Sequence, residues 1–393
     1  MLIIQDLEQI VRKVLPTDPS FRSVRQEELD NAIHKARQEA LAHSSDEFLL
    51  SLMSLLALPG NGHTRLIPND AISVLPLRFV TIGCAVRLVD AASDFSEAIG
   101  GELLSINGVP LREIERATET FLAGTQQRKR VIGPILFVWP SALQRLGITS
   151  GSDMIEYRVS NESGQISELL LNAENVVLGS TFYPRNEHGK ADASWSPETF
   201  VSIKDFGQLG LLMVLPSFFD TSDTDLSNEI SEAAGFVRSR PGAPLLIDVR
   251  GNTGGSFLQT LPLIDAISEG SEERKVGLLV DKFTFSAAIV FVAILKYRIG
   301  ERLALIGEEM GDGLTFFAEG GIIDLCSSGA CVRYSTAFHD WAGGRIDLTT
   351  PSEIAEEIVP VGKLRLDRRF VAHSDDIVSQ DQFCRDVLES LTT

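Results

Sequence analysis

Residues 244–255, PLLIDVRGNTGG, restrict the fold more than any other stretch of the chain. Leu245-Leu246-Ile247-Asp248-Val249 is a short apolar run that ends in Arg250-Gly251-Asn252-Thr253-Gly254-Gly255. A buried strand that empties into a glycine-rich turn is the point at which α/β proteins place chemistry, because glycine lets backbone N–H groups come close to a ligand. The pattern recurs about thirty residues later. Val276-Gly277-Leu278-Leu279-Val280 reads as a second buried strand, and Lys282-Phe283-Thr284-Phe285 leads into Ser286 and a helical run from Ala287 to Tyr297. A serine at a helix start places its hydroxyl beside free N–H groups at the positive end of the helix dipole. Such a seat suits a nucleophile whose oxyanion must be stabilised.

The surrounding pattern extends the same architecture. Leu209–Val214 reads as a buried strand and Leu226–Arg240 as an amphipathic helix, so βαβ units are expected, with a further strand at Leu303–Ile306. Thr315–Arg333 reads as a hairpin region, and a terminal helix falls within Val371–Leu391.

DVRGNTGG, then FSAA, then Leu305-Ile306-Gly307-Glu308 occur in the order and spacing of the S41 peptidase core, and the chain resembles that family over about residues 200 to 370. The family comprises the C-terminal-processing (tail-specific) proteases, the tricorn core protease and retinoid-binding repeat proteins. The resemblance implies a multi-domain α/β protein with an S41/crotonase-like βαβ core. It also implies acyl transfer through Ser286, with an oxyanion hole from the N–H of Ala287 and one from Gly254 or Gly255.

The base is where the chain departs from the tail-specific proteases. They carry a lysine in a segment like T-F-G-K-G, whereas the matching segment here, Glu308-Glu309-Met310-Gly311-Asp312-Gly313, has none; Lys282 and Lys296 are misplaced for the role. His63, in GNGHT, matches the D-G-H-T histidine of the tricorn-like branch, with Asn61 where the family commonly has Asp. For the acidic residue that accompanies it there, Asp340 and Glu308 both stand as candidates, and His339 is a second candidate base. Asp248 and Arg250 read as structural, the arginine pinning the glycine turn through paired donors.

Ahead of the core, residues 1–70 are expected to be helical, with helices over Glu27–Ala42 and Ser45–Ala57 ending at Pro59-Gly60-Asn61-Gly62. Residues 71–182 read as β-rich, with strands over Val74–Val80 and Cys84–Val89. GELLSINGVPLREI, with Asn107-Gly108 as its turn, is similar to a PDZ element. A PDZ groove would bind an extended peptide by strand addition. Gln126–Arg130 reads as a polar, basic connector, residues 148–171 as two strands turned at 161–164, and residues 183–199 as a linker or lid. The catalytic core is expected over 200–393.

With 35 Lys and Arg against 54 Asp and Glu, the formal net charge is −19, which argues against nucleic acid or an anionic membrane as partner. The N-terminal residues lack the marks of a signal peptide and no apolar run is long enough to span a bilayer, so a cytoplasmic protein with reduced thiols at Cys84, Cys326, Cys331 and Cys384 is expected. No Cys/His metal spacing occurs and no organic cofactor is expected. The expected substrate is a peptide or protein, and an oligomer is left open. The functional expectation is serine peptidase chemistry. The alternatives are a catalytically silent relative binding an apolar ligand or peptide, and a hydrolase or acyl transferase of a small ester or peptide natural product.

Overall fold

The computed structural model describes residues 3–42, 45–150, 154–183, 201–220, 225–370 and 380–392. The chain forms two compact units, one from residues 1–185 with 317–337, the other from 186–316 with 338–393.

The second unit is built on a six-stranded sheet. Its strands, in spatial order, are Ser202–Asp205, Leu211–Val214, Leu245–Asp248, Val276–Val280, Leu303–Gly307 and Arg368–Arg369. The first is antiparallel to its neighbour and every other pairing is parallel. Helices Leu226–Ser239, Leu261–Ser268 and Ala287–Ile299 connect successive central strands, giving the expected βαβ units. The central strands are apolar at nearly every position because both faces of the sheet are covered. On one face Leu212, Leu246, Leu279 and Ile306 pack with Cys384, Val387 and Leu388 of the terminal helix Gln380–Thr392. Helix Ala287–Ile299 is apolar around its whole circumference, and Ala287 to Leu295 are all buried.

In the first unit, helices Gln26–Ala42 and Ser45–Ala57 pack on each other, and the second ends at Gly60, whose φ of 68° breaks the helix. An antiparallel sheet runs Leu77–Ile82, Ala85–Ala91, Glu102–Ile106, Met154–Ser160, Ile166–Asn172. Asn107 and Gly108, with φ of 48° and 75°, turn the chain between Glu102–Ile106 and the short strand Val109–Pro110, as an Asn-Gly pair favours. One apolar core extends from Leu7 through Leu55 and Trp139 to Val332. The helical and β-rich regions, separated at residue 70 in the sequence reading, therefore share a single interior.

Two local expectations are corrected. Gln126–Arg130 is not a connector: Gln126–Ile132 is a helix, capped by Thr125 Oγ1, which accepts the Arg128 N–H at 3.2 Å. The hairpin region divides from the rest of the core: Gly321–Asp324 and Cys331–Tyr334 pair with each other, and Cys331–Tyr334 also pairs with Arg65–Ile67 in the first unit. Cys331 Sγ faces Asp324, and all four cysteines are free thiols. The proposed lid lies outside the described residues except for Tyr183. Among the described residues, no helix is long and apolar enough to cross a membrane.

Candidate active site

The C-terminal ends of the parallel strands carry the polar loops of the second unit. Asp248 ends its strand 3% exposed and holds Arg250 in a bidentate pair, with Nε to Oδ1 at 2.9 Å and Nη2 to Oδ2 at 2.6 Å. The arginine thereby pins the start of the glycine turn, as its position in the motif suggested.

Two side chains lace this turn to its neighbours. Asn252 is fully buried; its amide donates to the Leu215 carbonyl at 2.9 Å, and its Oδ1 accepts the Gly254 N–H at 2.9 Å. Its own carbonyl accepts the Phe285 N–H at 3.0 Å, tying the glycine turn to the segment before Ser286. Asp281 Oδ1 accepts the N–H groups of Gly251, Phe283 and Thr284, each at 3.0 Å. Burial raises the Asp281 carboxyl above the usual carboxylate range, against the lowering effect of the Gly251 N–H, Lys282 and Arg250.

Ser286 sits at φ 56° and ψ −126°, a region that L-residues rarely occupy, immediately before its helix. A sharp strand-to-helix bend of this kind lifts a side chain out of the sheet. Its carbonyl accepts the Ile289 and Val290 N–H groups and the Phe285 carbonyl accepts that of Ala288. The Ala287 N–H is thus left as the first-turn donor with no acceptor among the described residues. The Ser286 hydroxyl likewise makes no hydrogen bond there.

The two glycines facing this bend have no room for a side chain. A Cβ on Gly254 would stand 2.7 Å from Ser286 Cβ, and one on Gly255 would stand 1.9 Å from the Phe218 carbonyl oxygen. Their φ values, 111° and 130°, also belong to glycine. The Gly254 N–H is committed to Asn252, whereas the Gly255 N–H, like that of Ala287, has no acceptor among the described residues.

Both candidate acids are engaged by other groups. Glu308 receives Lys282 Nζ at 3.1 and 3.4 Å, with the lysine 2% exposed. Asp340 is 1% exposed and accepts from Thr315 Oγ1 at 2.9 Å, the Gly343 N–H at 2.8 Å and Arg345 Nε at 2.5 Å. Burial by itself would raise the Asp340 carboxyl, but Arg345, Gly343 and Thr315 together outweigh it and hold the carboxyl below the usual carboxylate range. Lys296 Nζ donates to the Leu303 carbonyl at 2.8 Å. His339 is 1% exposed and stacked on Phe316 with centroids 4.9 Å apart; burial pushes its imidazole down to about 4.

His63 belongs to the first unit, 6% exposed, on the turn between helix Ser45–Ala57 and strand Arg65–Ile67. Asn61 Nδ2 donates to the Phe317 carbonyl at 3.0 Å and lies 2.9 Å from both Thr64 Oγ1 and Ser335 Oγ, while its Oδ1 accepts the Phe317 N–H. A carboxylate could not donate to that carbonyl, which gives the physical reason for Asn where the resemblance suggests Asp. Asp18, buried, accepts from Thr64 Oγ1 and from the Ser335 N–H.

The roles of Asp281, Asn252 and Asp18 were not read from the sequence. Asn252 stands inside the glycine motif, which was its one visible signal; Asp18 and Asp281 carry none, because their partners come from other segments. Among the described residues, no group of three His, Cys, Asp or Glu is arranged to hold a metal ion.

The sequence matches no protein-family model and no curated protein. Solved structures do match. Mature CPAF complexed with lactacystin superposes with a TM-score of 0.61 at 13% identity, over 100% of this chain and 99% of that one. Mature CPAF alone gives a TM-score of 0.59 at 13% identity, over 100% and 98% of the two chains. This chain has the CPAF fold. At TM-scores of 0.38 and 0.36, the photosystem II D1 C-terminal processing protease and the tricorn protease are more distant likenesses, over 94% and 93% of this chain and 92% and 35% of theirs.

Proposed function

We propose that the protein is a serine peptidase that hydrolyses peptide bonds through an acyl-enzyme on Ser286. The observation that carries the reading is the pairing of a strained, half-buried serine with the N–H groups of Ala287 and Gly255 in adjoining turns, which have no acceptor among the described residues. Preorganised backbone donors of this kind stabilise a tetrahedral oxyanion, and losing one typically costs about 10²–10³ in turnover. The S41-like order of motifs and the CPAF fold support the same reading.

In this mechanism Ser286 Oγ attacks the scissile carbonyl and His63 takes its proton. The imidazolium then protonates the leaving amine, and water, deprotonated by the same imidazole, releases the acyl group. Gly254 contributes through its missing side chain, since its N–H is held by Asn252. Asp340, held by Thr315, Gly343 and Arg345, and Glu308, held by Lys282, act as structural carboxylates. Lys282 and Lys296 do not serve as bases, being tied to Glu308 and the Leu303 carbonyl.

The substrate is a peptide or protein, the β-rich region 71–182 acts as a PDZ-like domain, and the protein works in the cytoplasm. A fluorophosphonate probe tests the central claim. Labelling is expected at Ser286 and lost in both Ser286→Ala and His63→Ala; lactacystin, the ligand of the CPAF complex, is the first competitor to try. Absence of labelling in a folded, peptide-binding protein would instead support a silent binder.

A further inference from the structure

We infer that Asp18 is the positioning residue of the His63 turn, an inference that rests on His63 being the base. Asp18 lies in a segment with no sequence likeness to a catalytic motif, yet its carboxylate is 2% exposed and sits within the network that frames the histidine. Oδ2 accepts from Thr64 Oγ1 at 2.6 Å and from the Ser335 N–H at 2.9 Å; Oδ1 accepts from Ser20 N–H at 2.9 Å and Ser20 Oγ at 2.6 Å. Thr64 is the residue that follows His63, and its N–H is bound by the Asn61 carbonyl at 3.0 Å. Both sides of the histidine are therefore fastened, by Asn61 before it and by Asp18 through Thr64 after it.

No ion pair reaches Asp18 among the described residues; four neutral donors solvate it. Burying a carboxylate without a counter-ion is costly and needs such a full set of donors. A buried negative charge bonded to the residue that follows His63 favours the imidazolium, which is the form His63 takes when it accepts the Ser286 proton. Placement and charge thus point the same way.

Three arginines also stand near the turn. Arg65 Nη1 donates to the Gly62 carbonyl at 3.1 Å, Arg333 stands opposite Arg65 in the strand register, and Arg128 is buried against Gly124, whose missing Cβ would also touch Gly62.

The test is made on the full-length protein with two readouts, an NMR titration of the His63 ring, assigned with His63→Gln, and the pH profile of kcat/KM. Asp18→Asn is expected to lower the His63 pKa by about half a unit or more. It should also cut kcat about tenfold or more with KM little changed. Thr64→Ser should keep near-normal kcat and Thr64→Val should not, because only the hydroxyl links the turn to Asp18. A folded Asp18→Asn protein with an unmoved or raised His63 pKa overturns the inference. If Asp18→Asn does not fold, the Thr64 pair decides, and equal damage from Ser and Val overturns it. A ring pKa that falls in Asp18→Asn while the kinetic limb stays in place supports the Asp18 link and removes His63 as the base.

Discussion

Asp281 Oδ1 accepts the Gly251 N–H at 3.0 Å, and this bond joins the glycine turn to the loop that presents Ser286. The same oxygen holds the Phe283 and Thr284 N–H groups, so one carboxylate sets the spacing of two turns that come from neighbouring strands. Asp281→Ala removes the acceptor of the Gly251 and Phe283 N–H groups, while the Thr284 N–H keeps the Asp281 carbonyl. The expected result is a loss of about 1–3 kcal/mol in stability, read by urea unfolding. Turnover should also fall, since the proposed oxyanion donors lie on the two turns it joins.

Gly254→Ala tests the close approach to the proposed nucleophile. The added methyl would lie 2.7 Å from Ser286 Cβ and 3.1 Å from the Ala287 nitrogen, at a φ of 111°. We expect probe labelling of Ser286 to fall by about 10²-fold or more, while the variant still folds with a lowered melting temperature. Labelling at the parent rate would show that the turn does not govern the serine.

Ser286→Gly separates strain from chemistry. At φ 56° and ψ −126° a serine is held in a conformation that glycine adopts freely. The variant should be inactive yet more stable than the parent by about 1 kcal/mol, net of glycine's greater unfolded-state entropy. Calorimetry on the parent, Ser286→Ala and Ser286→Gly would read it, and a glycine variant less stable than the alanine one would count against strain.

His339 predicts an acid limb in stability. Burial depresses its imidazole from the model-peptide value of 6.5 to about 4, so the unfolded chain binds a proton there that the folded chain refuses. The contribution is complete above about 6.5 and is lost as pH falls towards 4, amounting to at most about 3 kcal/mol. Urea unfolding at pH 7 and pH 5 should show a smaller difference for His339→Gln than for the parent. Asp340, whose carboxyl is held below its usual range, acts in a lower window, losing its contribution only as pH falls below the carboxylate range.

What could be read in the sequence was whatever depends on local backbone demands. Strands apolar at every position announced a sheet covered on both faces, and the repeated strand–helix order gave its parallel pairing. Gly254, Gly255 and Ser286 stood out because a close approach and a sharp bend can be made by few residue types. The tertiary structure decided which groups satisfy those turns. Asn252 and Asp281 act by reaching the ends of other strands, and Asp18 meets Ser335 across 317 positions of chain. Nothing in the composition of residues 317–337 foretold their pairing with Arg65–Ile67, because edge-strand partners are chosen by what else the fold has left unpaired. Among Gly251, Gly254, Gly255 and Ala287, hydrogen bonding to distant side chains and carbonyls determines which N–H groups are consumed and which stay free, and that is settled only once the chain has folded.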